Sequence, residues 1–288
     1  MILAAPGHNP SIAQITEFIQ SAGQRRIDVS QMWVAESRGK LVWAVLPVLN
    51  PGKTLLLLAG SNIVDSVIPA ATQLVSELCD YYRERDVHLA QVLFEPTHTQ
   101  ARLLFGDLGF IQVAELIYLQ GYVPRVAKAP PLAEGMRFLP YSAENHALFA
   151  EGILSSYRES LDCPALSGLR DIEDIIAGHR ATGEHLPEMW QLLVEDDRPL
   201  GVVLLSRIPH SDAVELVYLG LALEARGNGL GTLLMQRAMH LIVADQRRSL
   251  TLAVDSKNEP ALRLYFRHGM QRIAARVAMI QDLRKLGR

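Results

Sequence analysis

Leu219-Gly220-Leu221-Ala222-Leu223-Glu224-Ala225-Arg226-Gly227-Asn228-Gly229-Leu230-Gly231-Thr232-Leu233-Leu234 carries the sharpest local signal in the chain. A strand-like apolar run enters a turn with glycines at positions 227, 229 and 231. The turn opens directly into a segment that reads as a helix to about Arg247, with Leu234, Ala238, Leu241 and Ile242 along one face. Glycine admits positive φ and lets backbone approach a ligand with no Cβ in the way. The first N–H groups of a helix lack internal partners and lie at the positive end of its dipole. Together these features suit a phosphate or pyrophosphate, and Arg226 adds a fixed positive charge.

Other loops of this kind fit less well. A dinucleotide fingerprint is Gly-x-Gly-x-x-Gly, whereas the order here is Gly-x-Gly-x-Gly. A kinase-type phosphate loop places Lys before Ser or Thr after its last glycine, and Thr232-Leu233 stand there instead. A glycine-rich turn without a ligand stays open on the motif alone.

Outward from the turn, strands and helices alternate. Ala213–Leu221 reads as a strand, and Trp190–Glu195 with Leu200–Ser206 as a hairpin around Asp196-Asp197-Arg198-Pro199. Leu250–Val254 is a further strand, and Pro260–His268 a short helix with proline in its first turn. Upstream, Met136–Leu139 is an opening strand, Ser142 caps a helix over Ala143 to about Tyr157, and Asp171–Arg180 is another helix. The order predicts an α+β (mixed α/β) fold with a central sheet.

Two pieces of this half, Arg226-Gly227-Asn228-Gly229-Leu230-Gly231 and Asn258-Glu259-Pro260-Ala261-Leu262-Arg263-Leu264-Tyr265-Phe266-Arg267-His268-Gly269-Met270, lie about 30 residues apart. Arg-Gly-x-Gly-x-Gly followed by Asn-x-x-Ala-x-x-Leu-Tyr-x-x-x-Gly resembles the Gcn5-related N-acetyltransferase (GNAT) superfamily over roughly 185–280. Met270 departs from the usual aromatic. The resemblance implies acetyl transfer from acetyl-CoA, with coenzyme A as product, to a primary amine of a small molecule or peptide. It implies that Leu219, Gly220 and Leu221 hydrogen-bond the pantetheine arm, that Arg226, Gly227, Asn228, Gly229, Leu230, Gly231 and Thr232 hold the pyrophosphate, and that Asn258 contacts the arm near the thioester. Tyr265 would protonate the leaving thiolate; its alternative is an aromatic packing helix onto sheet.

An amine must be neutral to attack, so a general base is needed. Glu215, on the strand six positions before Leu221, is the candidate, with an exposed strand glutamate as its alternative. A non-catalytic acyl-CoA sensor or interaction protein is the rival reading, and transfer to a hydroxyl remains open.

Sliding the chain by 160 residues lays Ala101-Arg102-Leu103-Leu104-Phe105 on Ala261-Leu262-Arg263-Leu264-Tyr265, and Leu108-Gly109-Phe110 on His268-Gly269-Met270. The expected organisation is therefore two tandem GNAT-like domains, each a twisted mixed sheet flanked by helices, resembling mycothiol synthase-like members. Residues 1–123 form a degenerate copy, 124–134 a proline-rich connector and 135–288 the catalytic domain. Under the offset Arg226 becomes Ser66, Gly227 becomes Val67, Gly229 becomes Pro69, Glu215 becomes Leu55, Asn258 becomes His98 and Tyr265 becomes Phe105. Proline offers no N–H, and β-branched residues resist positive φ, so one donor site per chain is expected.

Bulk properties narrow the partners. With 288 residues, 49% hydrophobic and 20% charged, the chain can bury sizeable cores. A net charge of −3 offers no attraction for nucleic acid or anionic lipid, and the basic end Arg284-Lys285 with Arg288 reads as a solvated tail. Cys79 and Cys163, His179, His185 and His210 show no metal-ligand spacing, and Cys163 reads as an inert thiol. Met1-Ile2-Leu3-Ala4-Ala5-Pro6 shows no secretory pattern, and Leu55–Ala59 is far shorter than a membrane span, so a soluble cytoplasmic protein is expected.

Overall fold

The structure, a computed structural model, describes residues 11–24, 27–60 and 63–285. Contacts divide it into two compact units, Met1–Glu115 with Ala275–Arg288, and Leu116–Ala274. The expectations placed on Met1–Pro6 and Arg288 lie outside the described residues. Among the described residues no helix is long and apolar enough to cross a membrane. Arg284 and Lys285 both pair with Asp282.

Unit 1 runs α1 (Ile12–Gln24), β1 (Trp33–Ser37), β2 (Lys40–Asn50), β3 (Thr54–Ala59), α2 (Ile68–Arg83), β4 (Leu89–Phe94), α3 (Thr99–Asp107) and the start of β5 (Ile111–Tyr122). Strands β1, β2 and β3 are antiparallel neighbours, and β3 runs parallel to β4. The far side of β4 pairs with Val277–Asp282, the end of the chain's last strand, β11 (Gln271–Asp282). Trp43, Val45, Leu55, Leu57, Leu78 and Phe105 fill the core, and the Trp43 indole N–H donates to the Gly60 carbonyl at 2.9 Å.

Unit 2 contains β6 (Met136–Pro140), α4 (His146–Tyr157), α5 (Ile172–Arg180), β7 (Glu184–Glu195), β8 (Arg198–Arg207), β9 (Ala213–Leu221), α6 (Leu230–Ala244), β10 (Ser249–Asp255) and α7 (Glu259–Arg267). Its sheet is antiparallel from β6 through β9, and β9 runs parallel to β10. Leu116–Tyr122 of β5 closes the other side of β10, from Ser249↔Tyr122 to Asp255↔Leu116. Strand β8 is buried on both faces, as a sheet covered by helices on each side requires. Val202 and Leu204 join Phe149 and Ile153 of α4, while a Cβ at Gly201 would meet Leu234 of α6.

The compact units follow contacts rather than contiguous halves. Pairing exchanges the two terminal strands in matching register, Leu89↔Asp282 in one unit and Ser249↔Tyr122 in the other. A division at 124–134 would strip each sheet of that strand. The connector itself is anchored: Val123 N–H donates to Arg248 O, and His240 Nδ1 lies 2.8 Å from Ala127 O.

Most expected elements stand within a few residues of their places. The helix expected from Ala143 begins at His146, because Asn145 and Ser142 bond reciprocally and hold residues 142–145 as a turn. The last helical turn expected up to Arg247 stops at Ala244.

Candidate functional site

The turn after β9 forms as its glycines suggest. Gly227 and Gly229 have φ of +81° and +78°, and Gly229 is the N-cap of α6. A Cβ on either would meet nothing within 4 Å, so their exposed side is open space. Thr232 and Leu233 N–H groups return to the Gly229 carbonyl. Those of Gly227, Asn228, Gly229, Leu230 and Gly231 make no hydrogen bond among the described residues. Five unpaired donors at the positive end of a helix form an anion cradle.

The role of Arg226 differs from the expected one. Its guanidinium donates to the carbonyls of Leu221, Ser156, Arg158 and Glu159, at 2.7 to 3.2 Å. It thus ties the C-terminal end of α4 and the following loop to the end of β9, where cationic donors complement free carbonyls. The spacing of the motif could not reveal this, since three of the four acceptors lie 67 to 70 residues upstream.

Strand β9 has an open edge. Its ladder with β10 covers Ala213, Val214 and Glu215, and among the described residues Leu216–Leu221 pair only with β8. A cavity of about 630 Å³ occupies the gap, lined by Leu216 to Leu221 on one side and by Ala253, Val254, Asn258 and Tyr265 on the other. It reaches Arg226, Gly227, Gly229, Gly231 and Thr232 at the helix end. The structure therefore brings together Leu219, Gly220, Leu221, the glycine turn, Asn258 and Tyr265. Asn228 and Leu230 are absent from the lining, and only their N–H groups point to a role. Gly220 answers to packing, because a Cβ there would lie 2.5 Å from Ser156 Oγ and 2.7 Å from the Tyr218 hydroxyl.

Asn258 caps α7, its Oδ1 accepting the Ala261 N–H at 3.3 Å, and its amide N–H groups have no partner among the described residues. The Tyr265 hydroxyl has no partner among the described residues. Burial, with the Asp162 charge second, raises its pKa well above the usual phenol value, so it holds its proton. Glu215 stands at the last β9 position paired to β10, opposite Thr251, and lines neither this cavity nor the next.

That second cavity, about 420 Å³, adjoins the first, and Ser160, Asp162, Val217 and Tyr218 line both. A β-bulge at Val217 makes the junction: the β8–β9 register slips there, so Val217 and Tyr218 both pack on the α4–α5 side. Tyr218 stacks on His179 at 5.5 Å and lies 2.8 Å from Ser156 Oγ; as Ser156 donates to Ile153 O, Tyr218 donates to Ser156.

The loop 158–171 forms the remaining wall and holds the non-glycine residues Glu159 and Cys163 at positive φ. Mutual bonds fix it: Asp162 Oδ1 accepts the Asp255 N–H, and Asp255 Oδ2 accepts the Cys163 N–H. Burial and the Asp255 charge raise the Asp162 pKa, even though its side chain is open to both cavities. Burial pushes the Cys163 thiol up to about 12, which leaves it inert as expected. The sequence places Asp162 in a polar, turn-rich segment, 157–164, that would recognise the acceptor, but gives it no role of its own, because an acidic residue in such a loop carries no signal until the loop folds over the sheet.

Residues 155–270 match the acetyltransferase (GNAT) family. A mycothiol acetyltransferase of Jonesia denitrificans is 34% identical over 93 residues, 32% of this chain and 30% of that protein's length. Among solved structures, a GCN5-related N-acetyltransferase from Sphaerobacter thermophilus superposes with a TM-score of 0.60 at 18% identity, covering 93% of this chain and 85% of the other. A tandem GNAT protein from the clavulanic acid biosynthesis pathway gives 0.52 at 14% identity, covering 99% and 92%. At such identities these two likenesses speak to the fold alone.

Proposed function

We propose, from the match of residues 155–270 to the acetyltransferase (GNAT) family, that the chain is a member of that family and transfers an acetyl group from acetyl-CoA to a primary amine of a small molecule or peptide. One observation carries the reading: Gly227, Gly229 and Gly231, whose N–H groups are unpaired among the described residues, line the same cavity as Tyr265 with its unpartnered hydroxyl. When bound, acetyl-CoA would supply the acyl thioester. The 227–231 backbone would hold its pyrophosphate, and the open edge of β9 at Leu219–Leu221 would hold the pantetheine arm as an added strand. Asn258 amide donors would meet the arm farther along.

Two proton movements fall to side chains. Tyr265, with its pKa raised, keeps a proton to give to the departing sulfur. For the base we favour Asp162 over Glu215, because Asp162 lines the junction of the two cavities and Glu215 lines neither. A raised pKa also makes Asp162 a stronger proton acceptor than an ordinary aspartate.

Calorimetric titration with acetyl-CoA, followed by detection of free thiol on addition of amines, tests the proposal. Binding and amine-dependent thiol release are expected. Binding without release for any acceptor would make the protein an acyl-CoA sensor, and absence of binding would remove the donor site altogether.

A further inference from the structure

The second cavity carries a positive charge that the nearby Asp174 carboxylate answers only in part. Arg170 lines it and forms no ion pair among the described residues; one N–H reaches the Asp174 carbonyl, and its buried Nε has no partner. His179 lines the same wall, with a buried, unpartnered Nε2. Burial and the nearby Arg170 lower its pKa to about 4, so the ring is neutral and has an N–H to offer. Buried donors are almost always satisfied in native proteins, and a cation without a partner is the costliest exception. Two such donors on one cavity wall mark the place of an acceptor group that the ligand brings.

The charges are also separated along the cavity. Arg170 and His179 line only the second cavity, whereas Asp162 lines both. Tyr157, Leu166 and Ile175 give the cavity apolar wall, and Glu159, Ser160 and Ser167 add polar groups. We propose that this cavity selects an acceptor with a carboxylate at one end and the reactive primary amine at the other, a free amino acid or similar small amino carboxylate. The carboxylate meets Arg170 and His179, and the amine meets Asp162 beside the donor cavity. A single guanidinium with a neutral imidazole suits a monoanion, and about 420 Å³ suits a molecule of amino-acid size. The assignment rests on the acetyl-transfer reading and adds the acceptor class to it.

Matched pairs test this: L-phenylalanine against 2-phenylethylamine, L-leucine against 3-methylbutylamine, and 4-aminobutyrate against propylamine. Each is measured on the full chain by thiol release with acetyl-CoA, and by calorimetry with coenzyme A present. In at least one pair the carboxylate should lower KM or Kd by about 10-fold or more, as expected for a charged hydrogen bond. Arg170→Gln should bring that ratio close to one, while Arg170→Lys keeps part of it; an unchanged acetyl-CoA affinity shows that both variants are folded. Equal or better use of the decarboxylated amine in every pair overturns the proposal. So does acetyl-CoA binding with no amino carboxylate bound or acetylated. Arg170-dependent binding of an amino carboxylate without thiol release supports the pocket and sinks the acetyl-transfer reading instead.

Discussion

Helices α2 of unit 1 and α6 of unit 2 begin in opposite ways. In unit 2, α6 starts from Gly229 in the left-handed region and leaves a row of N–H groups unpaired. In unit 1, α2 starts from Val67 at φ −93°, and Pro69 fills its first turn. Val67 joins the hydrophobic core, and its N–H returns to the Val64 carbonyl. The neighbouring helices repeat the contrast. His98 and Asn258 have nearly the same backbone, φ/ψ of −80/64 and −83/68, but only Asn258 caps its helix through its side chain. Phe105 lies in an aromatic cluster with Phe94 and Phe110, where Tyr265 faces a cavity. A strand, turn and helix of this kind thus form with or without the glycine turn and the capping asparagine, because strand pairing and apolar packing do not depend on them.

The largest expected effect concerns the two helix starts. Gly229→Val should weaken acetyl-CoA binding by about 10³-fold or more, since it strains a φ of +78° and fills the cradle, at the cost of two or more charged hydrogen bonds. Val67→Gly should leave the stoichiometry at one acetyl-CoA per chain. Calorimetry measures both, and two equivalent sites in the wild type would erase the contrast.

Tyr265→Phe should reduce turnover by about 10²-fold with little change in donor affinity. Its mirror, Phe105→Tyr, buries a hydroxyl in an apolar cluster and should cost about 1–3 kcal/mol of stability without affecting turnover. Unchanged turnover in Tyr265→Phe would make that tyrosine a packing residue like Phe105.

Asp162→Asn should lower turnover by about 10-fold or more at neutral pH and regain activity as the amine deprotonates at high pH, whereas Glu215→Gln should show neither change. Thermal melts add an independent sign. The folded-state pKa of Asp162 is raised, so its favourable contribution holds at low pH and fades as pH rises through that value. The asparagine variant should therefore melt higher at neutral pH, with the advantage vanishing in acid. A pH profile displaced by Glu215→Gln instead would return the base to that strand.

The last effect is on stability and belongs to His179 on α5. His179 has its pKa lowered from 6.5 to about 4, so the unfolded chain takes up a proton that the folded one refuses. Stability should fall by about 1.4 kcal/mol per pH unit between those values, and His179→Phe should flatten that slope. Melting curves from pH 7 to 4.5 would reveal it; equal slopes would mean that the ring protonates freely in the folded protein.

Local rules were enough for much of this protein. Glycines at alternate positions fix a left-handed turn, and proline after Asn258 fixes a helix start, because both act through the backbone of the residue itself. The strand Ala213–Leu221 and the α+β class followed from periodicity in the same way. What only the tertiary structure decided depends on residues far apart in sequence. The Arg226 guanidinium binds carbonyls of the loop after α4, and Asp162 bonds Asp255 across the sheet end. Gly220 is required by Ser156, and the terminal strands exchange partners although each half carries a strand of matching register. No spacing along the chain encodes these contacts, since each arises only when separate elements pack and one polar group finds another already in place.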